Sequence, residues 1–331
     1  MPTLLRKEIG PIGYGLMGLT WRSAILPSQP EAINLMSTAL ESGANFWNAG
    51  EFYGTPERNS LHLLNEYFSK YPEKASRVLL SIKGGMNPVT MVPDGTEAGL
   101  QRSVDECLRV LDGKKSIDIF ECARTDPNVP VEETIKVLSR FVKEGKIGGI
   151  GLSEVQAETI RRAHKVHPIT VVEVELSLWT TDVLRNDIAA TCADLGIPIV
   201  AYAPLSRGAL TGNFVTKNSD LPETRRAYPK FQDDVLQSNL RLSQEVEKVA
   251  KMKGCTSAQV ALAWIRGIGG WKGLGLMIPI PGAEREDWVR QNCEDITLTN
   301  TEMEQLEVIL KENQTLGDRY WAAFAQYVEV K

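Results

Sequence analysis

Tyr53 and Lys83 have the types and spacing of a proton-transfer pair. Tyr53 lies in the polar turn Asn48-Ala49-Gly50-Glu51-Phe52-Tyr53-Gly54, and Lys83 near the end of the run Leu79-Leu80-Ser81-Ile82-Lys83-Gly84. Each follows a short apolar run, so both are expected at the ends of successive strands, where α/β proteins gather reactive groups. A phenol that ionises near pH ~10 must fall by roughly 3 units, about 4 kcal/mol, to release its proton near neutrality. One unit charge ~4 Å away at an effective dielectric of ~20 supplies about that much. The implied chemistry is protonation of a carbonyl oxygen.

Glu121 is a third candidate. In Ile117-Asp118-Ile119-Phe120-Glu121-Cys122-Ala123-Arg124, period-two alternation puts Ile119, Glu121 and Ala123 on one face and Asp118, Phe120, Cys122 and Arg124 on the other. If the first face is interior, Glu121 is a buried carboxylate that needs a cation, and Lys83 is the candidate. The alternative turns Glu121 outward against a helix.

Other patterns carry less. Gly13-Tyr14-Gly15-Leu16-Met17-Gly18 matches G-x-G-x-x-G, but an irregular stretch with Trp21 and Pro27 follows where a dinucleotide-binding turn would open a helix. It reads better as a glycine-rich turn. His62, His164 and His167 lack a carboxylate or cysteine at ligand spacing, so no metal site is expected. The five cysteines form no C-x-x-C and read as reduced thiols.

The elements that position these residues alternate regularly. Strands are expected at Ile12–Met17, Asn45–Asn48, Val78–Lys83, Ile117–Cys122, Ile147–Leu152, Thr170–Glu175, Ile197–Tyr202 and Leu274–Pro279. Between them, Pro30–Ser42, Thr96–Leu111, Val131–Lys143 and Ser257–Arg266 place apolar residues at helical intervals and mostly stop at glycine. Eight such units are the arithmetic of a (β/α)₈ barrel, a TIM barrel, with a doubly wound sheet as competitor. Ser206–Gln237 is expected as a long polar loop after strand seven, poised as a lid. Thr299–Lys311 is an extra helix, and the tail Gln314–Lys331, with Tyr320, Trp321, Phe324 and Tyr327, packs on the body or closes a pocket rim.

The whole chain, 1–331, is expected as a single domain. A net charge of −5 without a basic run argues against nucleic acid, and no run of 18 apolar residues exists to span a membrane. Polar residues precede any apolar run, so no signal peptide is read and the cytoplasm is expected, with the nucleus open to it. No heptad or long apolar edge calls for a partner, so a monomer is expected.

At this point the chain resembles the aldo-keto reductases. The landmarks are Asn48 with Tyr53-Gly54, Lys83-Gly84, Gly151-Leu152-Ser153, Glu173 to Ser177, Ala201 to Gly212 and Ile280-Pro281-Gly282, in order along nearly the whole chain. The resemblance implies a barrel binding NADPH and hydride transfer to an aldehyde or ketone. It makes Tyr53 the proton donor and Lys83 the group that lowers its pKa. It puts Tyr202 against the nicotinamide, Ser153 and Glu173 at its carboxamide, and Leu205, Ser206 and Gly208 along the pyrophosphate. Gly282, Arg285 and Asn292 fall toward the adenosine end, with Arg285 near a 2′-phosphate, and Trp21 walls the substrate pocket.

The chain departs from the family pattern at four places. Asn48 stands for the family's aspartate, Ala123 for its histidine, Glu173 for its glutamine and Glu284 for a basic residue. Either the site has decayed into a nucleotide-binding regulatory or scaffold barrel, or it is rebuilt with Glu121 as counter-ion to Lys83 and Ala123 making room for a bulky substrate. The rebuilt site is the expectation. The motifs are most similar to the pyridoxal reductase branch, which implies reduction of the aromatic aldehyde pyridoxal. A Schiff-base role for Lys83 would leave the Tyr202-Ala203-Pro204-Leu205 run without a task.

Overall fold

Runs of β-branched and aliphatic residues produce eight short parallel strands. They are β1 (Tyr14–Gly15), β2 (Phe46–Gly50), β3 (Leu79–Gly84), β4 (Ile119–Cys122), β5 (Ile150–Ser153), β6 (Val171–Glu175), β7 (Ile199–Tyr202) and β8 (Met277–Pro279). The computed structural model describes residues 2–21, 23, 25–325 and 328–330; Tyr327 and the Phe324 side chain lie outside what is described. The strands pair in sequence order, each parallel to its neighbour. The Gly13 and Gly15 N–H groups donate to the Pro279 and Pro281 carbonyls at 2.9 and 3.1 Å, which joins the first strand to the last. The result is the expected (β/α)₈ barrel.

The first strand is much shorter than expected, because Met17–Thr20 turns into a short helix. Its glycines have a structural reason. A Cβ on Gly13 would stand 2.8 Å from both Ile280 Cγ2 and the Phe46 carbonyl oxygen, and one on Gly15 would stand 2.9 Å from the Ile280 carbonyl oxygen. The G-x-G motif is therefore what lets the barrel close, rather than a loop that cradles phosphate.

The helices follow their periodicity. Val131–Lys143 has the expected bounds, and Glu97–Leu111 is capped by the Thr96 hydroxyl, which accepts from the Gly99 N–H. Ser257–Lys272 extends beyond its expected end, and Asn300–Glu312 forms the extra C-terminal helix. The segment expected as a loop to Gln237 instead ends early, since the helix Asp233–Lys253 starts inside it, burying Leu236, Leu240, Val246 and Val249 at helical spacing.

Inside the barrel, Phe46, Leu79, Ile119, Val171, Val200 and Ile278 pack as one apolar layer with Leu4 and Ile9 from the amino-terminal hairpin plugging its base. One step further along each strand, toward the carboxyl ends, the inward positions become polar: Asn48, Ser81, Glu121 and Glu173. This change of layer marks the floor of the candidate site.

Candidate active site

Asn48 on β2 reaches across the barrel to Glu173 on β6, its Nδ2 donating to Oε2 at 2.7 Å. The same nitrogen donates to Glu121 Oε1 at 3.1 Å, and Ser81 Oγ donates to that oxygen at 3.1 Å. Glu121 thus faces the interior, one of the two faces that the alternation left open. Lys83, only 5% exposed, donates from Nζ to Glu173 Oε1 at 2.5 Å.

The expected ion pair between Glu121 and Lys83 is therefore replaced by one between Glu173 and Lys83. The reason is geometric. Lys83 and Glu121 are register partners on adjacent strands, so their side chains leave the sheet side by side. Glu173 comes from the opposite wall and meets the ammonium end to end. Both Glu173 oxygens are engaged, one by Lys83 and one by Asn48. A carboxylate missing from β2 is supplied by β6, and an amide missing from β6 is supplied by β2.

Tyr53 lies above this layer in an apolar box of Phe52, Met86, Ala123, Trp21 and Met91. Its ring stacks on Trp21 at 5.9 Å between centroids, 26° from parallel, and meets Phe52 edge-on at 5.0 Å. A Cβ on Gly50 would stand 3.0 Å from the Tyr53 ring, so glycine there lets the ring fold back over its own strand. Burial pushes the Tyr53 phenol above its ordinary value, while Lys83 pulls it down and Glu173 and Glu121 push it up. Lys83 acts in the expected direction, but burial outweighs it. Burial alone would depress the Lys83 ammonium; Glu173 foremost, with Tyr53 and Glu121, holds it above its ordinary range.

The Lys83 Nζ also lies 4.9 Å from the centre of the Tyr202 ring, at the end of β7. Arg124, assigned by alternation to the outer face, brings its buried guanidinium into the site. It donates to the Ala123 carbonyl and, at 3.4 Å, to Ser153 Oγ, and its charge helps lower the Tyr53 phenol. Arg124 sits at the strand end, where a long side chain can turn over the rim, so alternation did not fix its direction.

A collar of charge surrounds Tyr202. Arg207 forks onto Glu175 at 2.6 and 3.1 Å. Arg319, from the tail, donates to Glu154 Oε2 at 2.7 Å and to Glu175 Oε2 at 3.4 Å. Tyr320 shares a 2.5 Å hydrogen bond with the Tyr202 hydroxyl, so the tail closes this side of the mouth. No sequence signal pointed to Arg319, which is 144 residues from Glu175 in the chain.

The remaining residues line the rim. Ala203, Ser206 and Arg207 all have left-handed backbones, φ 48°, 49° and 55°, and Gly208 follows at 104°. Such strain, about 1–3 kcal/mol per residue, gathers at ligand clamps. Ser206 is pinned by a 2.7 Å bond to Ser177, and Leu205 packs against the outer core. The Arg225 side chain lies over Gly208, where an added Cβ would stand 3.2 Å from its Nη1; burial lowers its pKa, and Glu284 raises it. Gly282 passes close to Gly15, where a Cβ would stand 3.3 Å from the carbonyl oxygen. Asn292 is buried nearby, whereas Arg285 is exposed, forked onto Asp287 at 2.9 and 2.8 Å and lying over Trp288. A strained, glycine-bearing turn, an aromatic face and half-buried arginine together fit a dinucleotide. Among the described residues, no cluster of three metal-ligating side chains occurs, and no helix is long and apolar enough to cross a membrane.

Known proteins share both this sequence and this fold. Residues 11–311 match the Aldo/keto reductase family. A Schizosaccharomyces pombe protein named "Probable pyridoxal reductase 2" is 41% identical over 329 residues, covering 97% of both chains. A Saccharomyces cerevisiae protein that also carries a provisional pyridoxal reductase name is 38% identical, covering 93% of this chain and 95% of that one. The solved structure of a glycerol dehydrogenase from Gluconobacter oxydans superposes with a TM-score of 0.79 at 21% identity, over 95% of this chain and 96% of its own. The chain belongs to the aldo/keto reductase family.

Proposed function

We propose that the protein is an NADPH-dependent aldehyde reductase that converts pyridoxal to pyridoxine. The observation that carries the reading is a buried ammonium, Lys83, held by Glu173 at the strand ends, where its charge opposes the burial that raises the Tyr53 phenol. The names of the two yeast relatives support pyridoxal as the aldehyde.

NADPH would supply hydride when bound, held by Ser153, Tyr202, Leu205, Ser206, Gly208, Gly282 and Asn292. Arg225 is the better candidate for a phosphate partner than Arg285, whose guanidinium is already forked onto Asp287. Tyr53 gives its hydroxyl proton to the carbonyl oxygen of the substrate, and Lys83 stabilises the phenolate left behind. Trp21, Phe52 and Met86 present an apolar wall to an aromatic ring, and Ala123 leaves open the space a histidine would fill. Arg124 offers a further donor at the strand that lacks histidine.

The test is NADPH consumption by the purified protein with pyridoxal and a panel of aromatic aldehydes, repeated with NADH. Pyridoxal is expected to be reduced fastest, with NADPH preferred. No turnover of any aldehyde by a protein that binds NADPH would overturn the reading.

A further inference from the structure

The barrel interior holds one more carboxyl group than the Tyr53 and Lys83 pair requires. Glu173 already balances Lys83. Glu121 is fully buried beside them. Its two oxygens have different surroundings. Oε1 accepts from both Asn48 and Ser81, whereas Oε2 has no hydrogen-bond partner among the described residues. The single Asn48 nitrogen bonds to an oxygen of each carboxyl group, at 3.1 and 2.7 Å, so the two groups are bracketed close together.

We propose that Glu121 is held as the neutral carboxylic acid, its proton on Oε2 and turned toward Glu173. The layer beneath Tyr53 then carries one positive and one negative charge and no more. Two carboxylates sharing a dry site cannot both ionise cheaply, and one proton relieves them. Burial is the first cause that pushes the Glu121 carboxyl well above its ordinary range, and Glu173 the second, against a smaller pull from Lys83. Tyr53, from the turn after β2, also feels its charge. From β2 and β5 it meets uncharged Asn48 and Gly151. Glu121 is thus a positioning residue: ionised, it would add a negative charge under Tyr53 and hold the phenol proton more tightly.

The inference rests on the proposed function only for its kinetic consequence, and its main test needs neither cofactor nor substrate. Thermal unfolding of the whole chain is followed from pH ~5 to ~8 for wild type and Glu121→Gln, which mimics the neutral acid. A raised folded pKa means that wild type loses stability as pH rises out of the carboxylate range toward that pKa, and the Gln variant does not. The Tm of Glu121→Gln relative to wild type should therefore climb by several degrees across the series. A difference that stays constant or falls overturns the proposal. Should that variant fail to fold, infrared spectra of wild type at neutral pH decide. A carbonyl band of a protonated acid that moves in Glu121→Asp supports the proposal, and its absence overturns it. In turnover, the alkaline limb of the kcat profile should move to higher pH in Glu121→Gln, a shift that a merely structural residue would not give.

Discussion

Tyr53 and Lys83 match the family's motif by resemblance, and in this chain the carboxylate that holds Lys83 comes from β6. Glu173 binds Lys83 from the far wall, while Asn48 stands where a carboxylate would be expected. If this exchange is compensatory, reversing only half of it should harm more than reversing both halves. Asn48→Asp alone crowds a third carboxyl group against Glu121 and Glu173, and Glu173→Gln alone leaves Lys83 without its direct partner. The double variant restores a single counter-ion on β2. We expect kcat/KM of the double to exceed the product of the two single effects, with a coupling energy of about 0.5–3 kcal/mol, the range for contacting residues. Additive losses in the double-mutant cycle would mean that the two positions act independently. Tyr53→Phe removes the phenolic hydroxyl from the apolar box and should lower kcat by at least ~100-fold, the low end for a general acid. Retention of most of the activity would move the proton donor elsewhere. In both tests, NADPH affinity measured by fluorescence separates a chemical loss from a binding loss.

At the scale of elements, strands and helices were legible because apolar runs and helical spacing are local properties. Val131–Lys143 was readable to the residue, and all eight strands were found with shifted ends. That Glu121 shares a face with Ile119 and Ala123 was legible, because alternation along a strand needs no knowledge of the partner, but which face points inward was not. Neither was what crosses the barrel. The choice of Glu173 over Glu121 as the ion partner depends on which wall a side chain comes from, and sequence order is silent on that. The G-x-G-x-x-G run shows the converse, a motif whose letters suggested one chemistry and whose contacts show another. Gly13→Ala distinguishes them. The added methyl meets both Ile280 and a backbone oxygen at 2.8 Å, so overpacking should destabilise the fold by about 1–3 kcal/mol. Chemical denaturation should show that loss, while NADPH affinity of the folded variant stays near wild type. A stable variant with weakened NADPH binding would return the motif to cofactor binding.

At the scale of the whole molecule, the tail ties the carboxyl-terminal part of the chain to the mouth of the barrel. The Glu329 N–H donates to the Glu154 carbonyl, the Gln156 N–H donates to Glu329, and Arg319 lies across Glu154 and Glu175. Burial would raise the Glu175 carboxyl, but Arg207 and Arg319 override it and hold the group down at about 2, from an ordinary value of 4.5. A depressed folded pKa contributes stability that is present above the unfolded value and lost as pH falls from there through the folded one, on the order of 3 kcal/mol here. Arg319→Gln removes one of the cations that hold Glu175 down and takes from Glu154 the guanidinium it pairs with. Near-ultraviolet circular dichroism should then show acid unfolding beginning at a higher pH than in wild type. Limited proteolysis at neutral pH should cut the tail after residue 315 first, because Tyr320 loses the neighbour that holds it over Tyr202. An unshifted acid limb together with a protected tail would show that the strap is held by its aromatic packing on Tyr228 rather than by charge. The expected outcome has a functional corollary. On the proposed function, a tail fastened by ion pairs beside Tyr202 borders the site, so Arg319→Gln should raise KM for pyridoxal more than it lowers kcat.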